Sequence, residues 1–382
     1  MKHTLNPADS AWLEQVYARL CAKMSAQVLR QGDRAPHVTR NGSFGEDMLE
    51  KDVYWWTNGF WPGMLWQMYH ATGESVYREA AEKSEGRLAE ALTGYTGLHH
   101  DVGFMFHLAS VAGFKLTGDA EMLRHGRHAA GVLAGRYNPL GQFIRAWENY
   151  DKNEDKSGWI IIDCLMNLPL LYWAAEEEND VRFSAIAKLH ALTAAKHLLR
   201  PDGSANHIAI LDPHTGELLD TPGGQGYAPG SSWTRGQAWA LYGFALSAKY
   251  TGEAELLGAA KRSAHYFIAN AALNGWNVVV DFRSPAEPVK TDASAAACAA
   301  CGLLCLAGQV DEMERPLYQN AALALLRRLD EGYANWTPEQ DGLIGGAAGS
   351  YFDPDQPVSI IYGDFFFQEA VLRLMGKGFE IW

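Results

Sequence analysis

The chain has 382 residues, 45 of them acidic and 32 basic, for a formal charge of −13. That balance argues against nucleic acid or an anionic membrane as a partner, since both call for a dense basic face. With 48% hydrophobic and 20% charged residues the chain is not disordered, and 38 Gly and 15 Pro without a strict period exclude a collagen-like fibre.

The first twenty residues lack the apolar core and small-residue cleavage site of a secretory signal. No apolar run reaches the ~18 residues of a membrane span. Five cysteines, an odd number, argue against a disulfide framework. A cytoplasmic protein is expected.

Along the chain, apolar and amphipathic helices alternate. Amphipathic patterns run near residues 8–30, 74–92, 119–136, 180–199, 253–271 and 311–330. Between them lie six segments rich in Gly, Ala and aromatics. They are WTNGFWPGMLWQMY from Trp56, HDVGFMFHLASVAGF from His100, IIIDCLMNLPLLYWAA from Ile160, SSWTRGQAWALYGFALS from Ser231, TDASAAACAACGLLCL from Thr291 and SIIYGDFFFQEAVLRL from Ser359. Helices that are apolar all round must be buried, and helices with a charged stripe face water. The pattern predicts an all-α fold, an (α/α)6 barrel with six inner and six outer helices, formed by residues 1–382 as one domain.

Three turns repeat a Thr-Gly-acid motif, at Thr72, Thr117 and Thr251. Glycine there supplies a left-handed helix end, and the acid suits the start of the next helix. Strand signals are weak, and WNVVVDF at 276–282 is the best candidate for a small surface hairpin. Cys298, Cys301 and Cys305 fall on one helical face among Ala and Leu, which reads as packed thiols rather than a metal site. The long connections 137–158, 200–230, 272–290 and 332–358 all precede inner helices. They gather at one end of the barrel, where function is expected.

Asp101, Asp163, Asp292 and Asp364 stand at or near the starts of inner helices, and capping is the plain reading of each. Asp163 is least like a cap. It sits within an apolar run, where a carboxyl is expected to be dry, to have a raised pKa and to serve as a general acid. His99, His100 and Asp101 form a polar trio, for which hydrogen bonding outweighs metal binding because no second ligand cluster follows. Trp233 and Trp239 flank Arg235. The plain reading is core packing with Arg235 paired to an internal Asp. With Trp55, Trp56, Trp61 and Trp147 near the same end, a Trp-lined pocket with two acids is the better explanation, and it points to carbohydrate chemistry.

WTNGFWPGMLW, HHDVGF, IIIDCLMNLPLLYWA, GSSWTRGQAWALYG and SIIYGDFFFQEA, in this order, resemble glycoside hydrolase family 88, the unsaturated glucuronyl hydrolases. The resemblance covers residues 50 to 375. It implies removal of a 4,5-unsaturated uronic acid from a small oligosaccharide by hydration: C4 of the enol ether is protonated, water adds at C5, and the hemiketal falls apart. It also implies Asp163 as acid/base, Asp101 as the second aspartate, and Trp56, His100, Trp147, His207, Gln225, Trp233, Arg235 and Trp239 as binding residues. Trp233 would stack on the sugar, with His207 and Arg235 on its carboxylate side. No metal or organic cofactor is implied, and a monomer or weak homo-oligomer is expected.

Residues 341–364 contain no Lys or Arg, but do contain Asp341, Asp353, Asp355 and Asp364. This predicts a preference for unsulfated fragments. The competing readings are an unsaturated rhamnogalacturonyl hydrolase, a sugar 2-epimerase and a non-catalytic sugar-binding barrel.

Overall fold

The computed structural model describes residues 5–149, 154–354 and 357–382. The outer helices are Pro7–Gln31, Ser75–Leu88, Ala120–Ala134, Val181–His197, Ala254–Leu273 and Arg315–Gly332. The inner ones are Phe60–Thr72, the composite Val102–Thr117, Pro169–Glu178, Thr234–Thr251, Ala293–Ala307 and Ile361–Leu374. Neighbouring inner helices pack in chain order, and the sixth packs on the first, so the inner ring closes. Every residue of Ala293–Ala307 is buried, whereas Ala254–Leu273 buries one stripe. This is the (α/α)6 arrangement that the alternation of apolar and amphipathic segments requires. One hydrophobic core draws residues from all twelve helices.

The three Thr-Gly turns are alike in detail. Gly73, Gly118 and Gly252 have φ of 77°, 72° and 68° and end their helices in the left-handed conformation. Thr72, Thr117 and Thr251 each donate to the carbonyl four residues back and accept from the amide of the acid two residues on. The hydroxyl thus bonds both the old helix and the start of the new one.

Two local expectations are corrected. The third inner segment does not start as a helix. Trp159–Ile161 is a strand, paired antiparallel with Ile208–Leu211, which pairs in turn with Leu218–Asp220. A 3-10 turn, Ile162–Met166, then leads into the helix. Residues 276–282 form only isolated bridges, Trp233–Asp281 and Val279–Thr291, because their backbone bonds the start of the fourth inner helix instead. Thr234 N donates to Val280 O, and Phe282 N to Ser232 O.

The aspartates divide by role. Asp292 caps its helix through Ser294 N. Asp364 accepts from the amides of Leu343 and Ile344 and so holds the preceding loop. Asp101 occupies a cap position without making a cap bond, and Asp163 lies inside the 3-10 turn. Cys298, Cys301 and Cys305 are buried free thiols, and Cys301 Sγ donates to Phe366 O. Trp382 stacks between His107 and Phe366 and donates its indole N–H to Glu369. No described helix is long and apolar enough to cross a membrane.

The close packing of the inner ring yields a stability prediction. A Cβ at Gly59 would lie 2.2 Å from Phe104 O and 2.3 Å from Met105 O, whereas one at Gly86 on an outer helix meets nothing within 4 Å. Gly59→Ala should lower unfolding stability by at least ~2 kcal/mol. Gly86→Ala should raise it by about 0.5–1 kcal/mol. Urea unfolding midpoints of the two variants check both signs.

Candidate active site

The site is assembled by the starts of five inner helices and the loops before them. The turn that opens the second inner helix carries His99, His100 and Asp101. The 3-10 turn of the third carries Asp163. The start of the fourth carries Trp233 and Arg235. The first contributes Trp56, and the sixth contributes Tyr362.

Asp101 is buried and faces Asp163 across the junction of the second and third inner helices. Asn167 stands between them. Its Nδ2 donates to Asp101 Oδ1 at 3.0 Å and lies 3.4 Å from the backbone oxygen of Asp163. Burial and the neighbouring Asp163 carboxylate push the Asp101 carboxyl up to about 8, against the bond from Asn167 and the charge of Arg136. The histidines beside it are kept neutral. Burial, then Arg136, lowers His99 to about 4, and burial lowers His100 well below its ordinary value.

The expectation of a dry Asp163 is corrected. Its side chain keeps 16% of its accessible surface. Ile162, Cys164, Leu165 and Met166 turn into the core, and the tight 3-10 turn leaves Asp163 on the open side. Asp101 is the carboxyl that burial keeps protonated near neutral pH. His207 Nδ1 accepts the amide N–H of Gln225 at 3.0 Å, which assigns its proton to Nε2. That Nε2 faces Asp163 Oδ1 at 3.5 Å.

The aromatic residues separate into rim and floor. Trp56 is half-buried and stacks on Tyr362 with ring centres 5.2 Å apart. Trp147 is half-buried, edge-on to His100 and to Trp159, with Lys156 over its ring at 5.8 Å. Trp233 is nearly covered and lies 4.5 Å from the His207 ring. Trp239 has no accessible surface and packs against Phe104 and Phe366, so it supports the floor rather than meeting the cavity. Trp61 is likewise core, donating to Gly32 O. The pocket expected to be lined by six tryptophans thus draws fewer of them, because inner-helix side chains pointing into the ring are packed from every side.

Arg235 follows the plain reading. Its guanidinium pairs with buried Asp292 at 2.8 Å and donates to the carbonyls of Ala348 and Gly349. It also lies over the rings of Trp233, at 4.6 Å, and Tyr362, at 5.0 Å. Gln225 Nε2 donates to Gly349 O as well, and Gln225 O accepts from Tyr351 N. Both residues pin the 348–351 loop against the site. Sequence reasoning missed Asn167 and Tyr362. The first stands inside the quoted IIIDCLMNLP stretch and the second inside SIIYGDFF, but an amide and a phenol in apolar helices read as packing.

His99, His100 and Asp101 bring ligand atoms within 4.8 Å of one another, the one such cluster among the described residues. A cavity of about 1170 Å3 is lined by His37, Trp55, Gly346, Asp353 and Ser359 among others, and by neither Asp101 nor Asp163.

Two carboxyl groups, one buried and neutral and one open beside an imidazole, under an aromatic rim at the loop-bearing end of an α/α barrel, define a glycoside-cleaving enzyme. Residues 31–304 match the model of Glycosyl Hydrolase Family 88. The chain is 40% identical over 353 residues to the unsaturated glucuronyl hydrolase of Bacillus sp. (strain GL1), covering 90% of this chain and 91% of that one. The crystal structure of the unsaturated glucuronyl hydrolase from Bacillus sp. GL1 superposes with a TM-score of 0.88 at 37% identity, over 95% and 96% of the two chains. A variant of the Streptococcus agalactiae unsaturated glucuronyl hydrolase, complexed with dGlcA-GalNAc6S, superposes with a TM-score of 0.82 at 26% identity, over 97% and 93%. The chain belongs to glycoside hydrolase family 88.

Asp101 also links the site to stability. The folded chain holds its proton to about pH 8, and the unfolded chain releases it near 3.8. Between those values the folded state binds more protons, so stability falls as pH rises. Asp101→Asn, neutral throughout, should melt at a higher Tm than the wild type near pH 7, with the gap closing toward pH ~4. Calorimetry across that range tests this, and a gap independent of pH counts against a buried proton at Asp101.

Proposed function

We propose that this chain is an unsaturated glucuronyl hydrolase. It removes the 4,5-unsaturated glucuronic acid from the non-reducing end of lyase-generated oligosaccharides, acting as one catalytic domain. The observation that carries this reading is the pairing of a neutral, buried Asp101 with an accessible Asp163 beneath a half-buried aromatic rim. Protonating a vinylic carbon needs an acid that keeps its proton at neutral pH, and the pair holds one.

In this reading the enol ether is protonated at C4, water adds at C5, and the resulting hemiketal opens with loss of the aglycone. Asp163, the carboxyl with accessible surface, carries a proton into the step, delivers it to C4 and recovers one from the attacking water, so that it ends as it began. His207 faces Asp163 from its Nε2 side and orients it. Asp101, neutral, donates a hydrogen bond to the substrate. Trp147 and Trp56 are the sugar-facing aromatics. Arg235 acts through Trp233, Tyr362 and the 348–349 loop that it holds.

The stored proton on Asp101 favours one second reading, in which Asp101 itself protonates C4 and Asp163 only activates the water. A chain that acts on imported oligosaccharides in the cytoplasm, as a monomer or weak homo-oligomer, fits either version.

The case for unsulfated substrates is narrower than the sequence suggested. Asp341 is buried against Arg30 and Gln31, and Asp364 bonds two amides, so neither faces the cavity. Asp355 lies outside the described residues. Lys290, from another loop, lies over the Tyr351 ring at 4.6 Å. The preference then rests on Asp353.

Purified protein incubated with unsaturated glucuronyl disaccharides should consume their ultraviolet absorbance. Loss only with rhamnogalacturonan fragments, or no loss, overturns the reading. Asp163→Asn should retain the fold and lose at least ~10^3-fold in kcat, and near-normal turnover would remove Asp163 from the chemistry. In Asp101→Asn, a kcat within ~10-fold of wild type would dismiss the second reading.

A further inference from the structure

Asn167 is fully buried at the contact between the second and third inner helices. Its Oδ1 accepts the amide N–H of Phe104 at 2.7 Å, and its Nδ2 donates to Asp101 Oδ1. Phe104 is the third residue of a helix whose cap position is Asp101. A cap aspartate ordinarily turns its own carboxylate onto that amide. Here the bond is made from the neighbouring element, and Asp101 makes no cap bond. Space for this comes from Gly103, where a Cβ would meet Asn167 Cα and Oδ1 at 2.6 Å.

We propose that Asn167 is the positioning residue of this site. It caps the second inner helix in place of Asp101, frees the Asp101 carboxyl for the substrate, and selects Oδ2 as the oxygen that carries the proton. The selection follows from donors and acceptors. Rotating the amide by half a turn would set its NH2 against the Phe104 N–H, two donors face to face, so the observed orientation is the one that can form. Nδ2 is then a donor to Oδ1, and Oδ1 is an acceptor. A proton on Asp101 is left with Oδ2. That oxygen is 3.4 Å from His99 Nδ1 and 3.5 Å from His100 Nε2. The titratable and charged groups around the carboxyl are these two histidines on its own turn, Asp163 and Cys164 from the third inner helix's 3-10 turn, and Arg136 from beyond the third outer helix.

The inference rests on the hydrolase reading above, and one set of assays separates the two. Wild-type turnover of an unsaturated glucuronyl disaccharide tests the reading; two variants then test Asn167. Asn167→Ala removes both bonds and should lower kcat by at least ~10-fold, with KM within about 3-fold of wild type. Asn167→Asp keeps the shape. While the introduced carboxyl is protonated it accepts from Phe104 N–H and donates to Asp101, as the amide does. Once ionised it offers only acceptors, so the Asp101 proton moves to Oδ1 and Oδ2 is left bare. The kcat of this variant should therefore fall at least ~10-fold at neutral pH and recover toward wild type as the pH is lowered, a limb that wild type lacks. Active wild type with an Asn167→Asp profile of unchanged shape overturns the proposal, even if that variant or Asn167→Ala is less stable.

Discussion

A carboxyl group set at the start of a buried apolar helix, yet excused from capping it, is the constraint around which the site is organised. Asp101 is out of water, beside a second carboxylate, and bonded on one oxygen by a buried amide. Desolvation and like charge both favour its neutral form. Outside such a packed ring an aspartate at this position would turn to the helix amides and ionise. The barrel therefore does more than present loops. It encloses a carboxyl that burial keeps neutral.

The second organising interaction is the ion pair of Arg235 with Asp292, both without appreciable exposure. Such a pair makes little net stability, because two charges lose their water. Its geometry is what the site uses. With Nη1 on Asp292 and the Ala348 carbonyl and Nη2 on the Gly349 carbonyl, Arg235 ties the fourth and fifth inner helices to the loop before the sixth. Trp233 and Tyr362 stack on the same guanidinium, and Tyr362 stacks on Trp56. One wall of the site is in this way a continuous run from a buried charge to a half-exposed indole. Gln225 reinforces it by bonding Gly349 O with its side chain and the Tyr351 amide with its backbone.

Much of the architecture was legible in the residues. Helical periodicity and the contrast between all-apolar and striped helices specify twelve helices in two layers, since burial follows directly from composition. The Thr-Gly-acid turns are equally plain, because a left-handed helix end needs glycine locally. The start of the third inner segment was not legible. Ile160–Ile162 is compatible with a strand or a buried helix, and its pairing with Ile208–Leu211, far along the chain, decides between them. The placement of aromatics misled for a related reason. A Trp at an inner helix looks the same in sequence whether its ring keeps accessible surface, as that of Trp56 does, or lies wholly in the core, as that of Trp239 does.

For the chemistry, the sequence by itself determined which residue types stand at the loop-bearing ends of the inner helices: Asp101 with its histidines, Asp163 in its apolar run, and Arg235 between tryptophans. That much is one-dimensional, since helix starts and loop lengths are read in order. Only the tertiary structure decided which carboxyl is dry and which oxygen is left to hold the proton. Those properties depend on the distance to groups remote in the chain, Asn167 and Arg136 for Asp101 and His207 for Asp163. Desolvation and hydrogen bonding are set by what packs against a side chain, and an apolar neighbour in sequence is not an apolar neighbour in space.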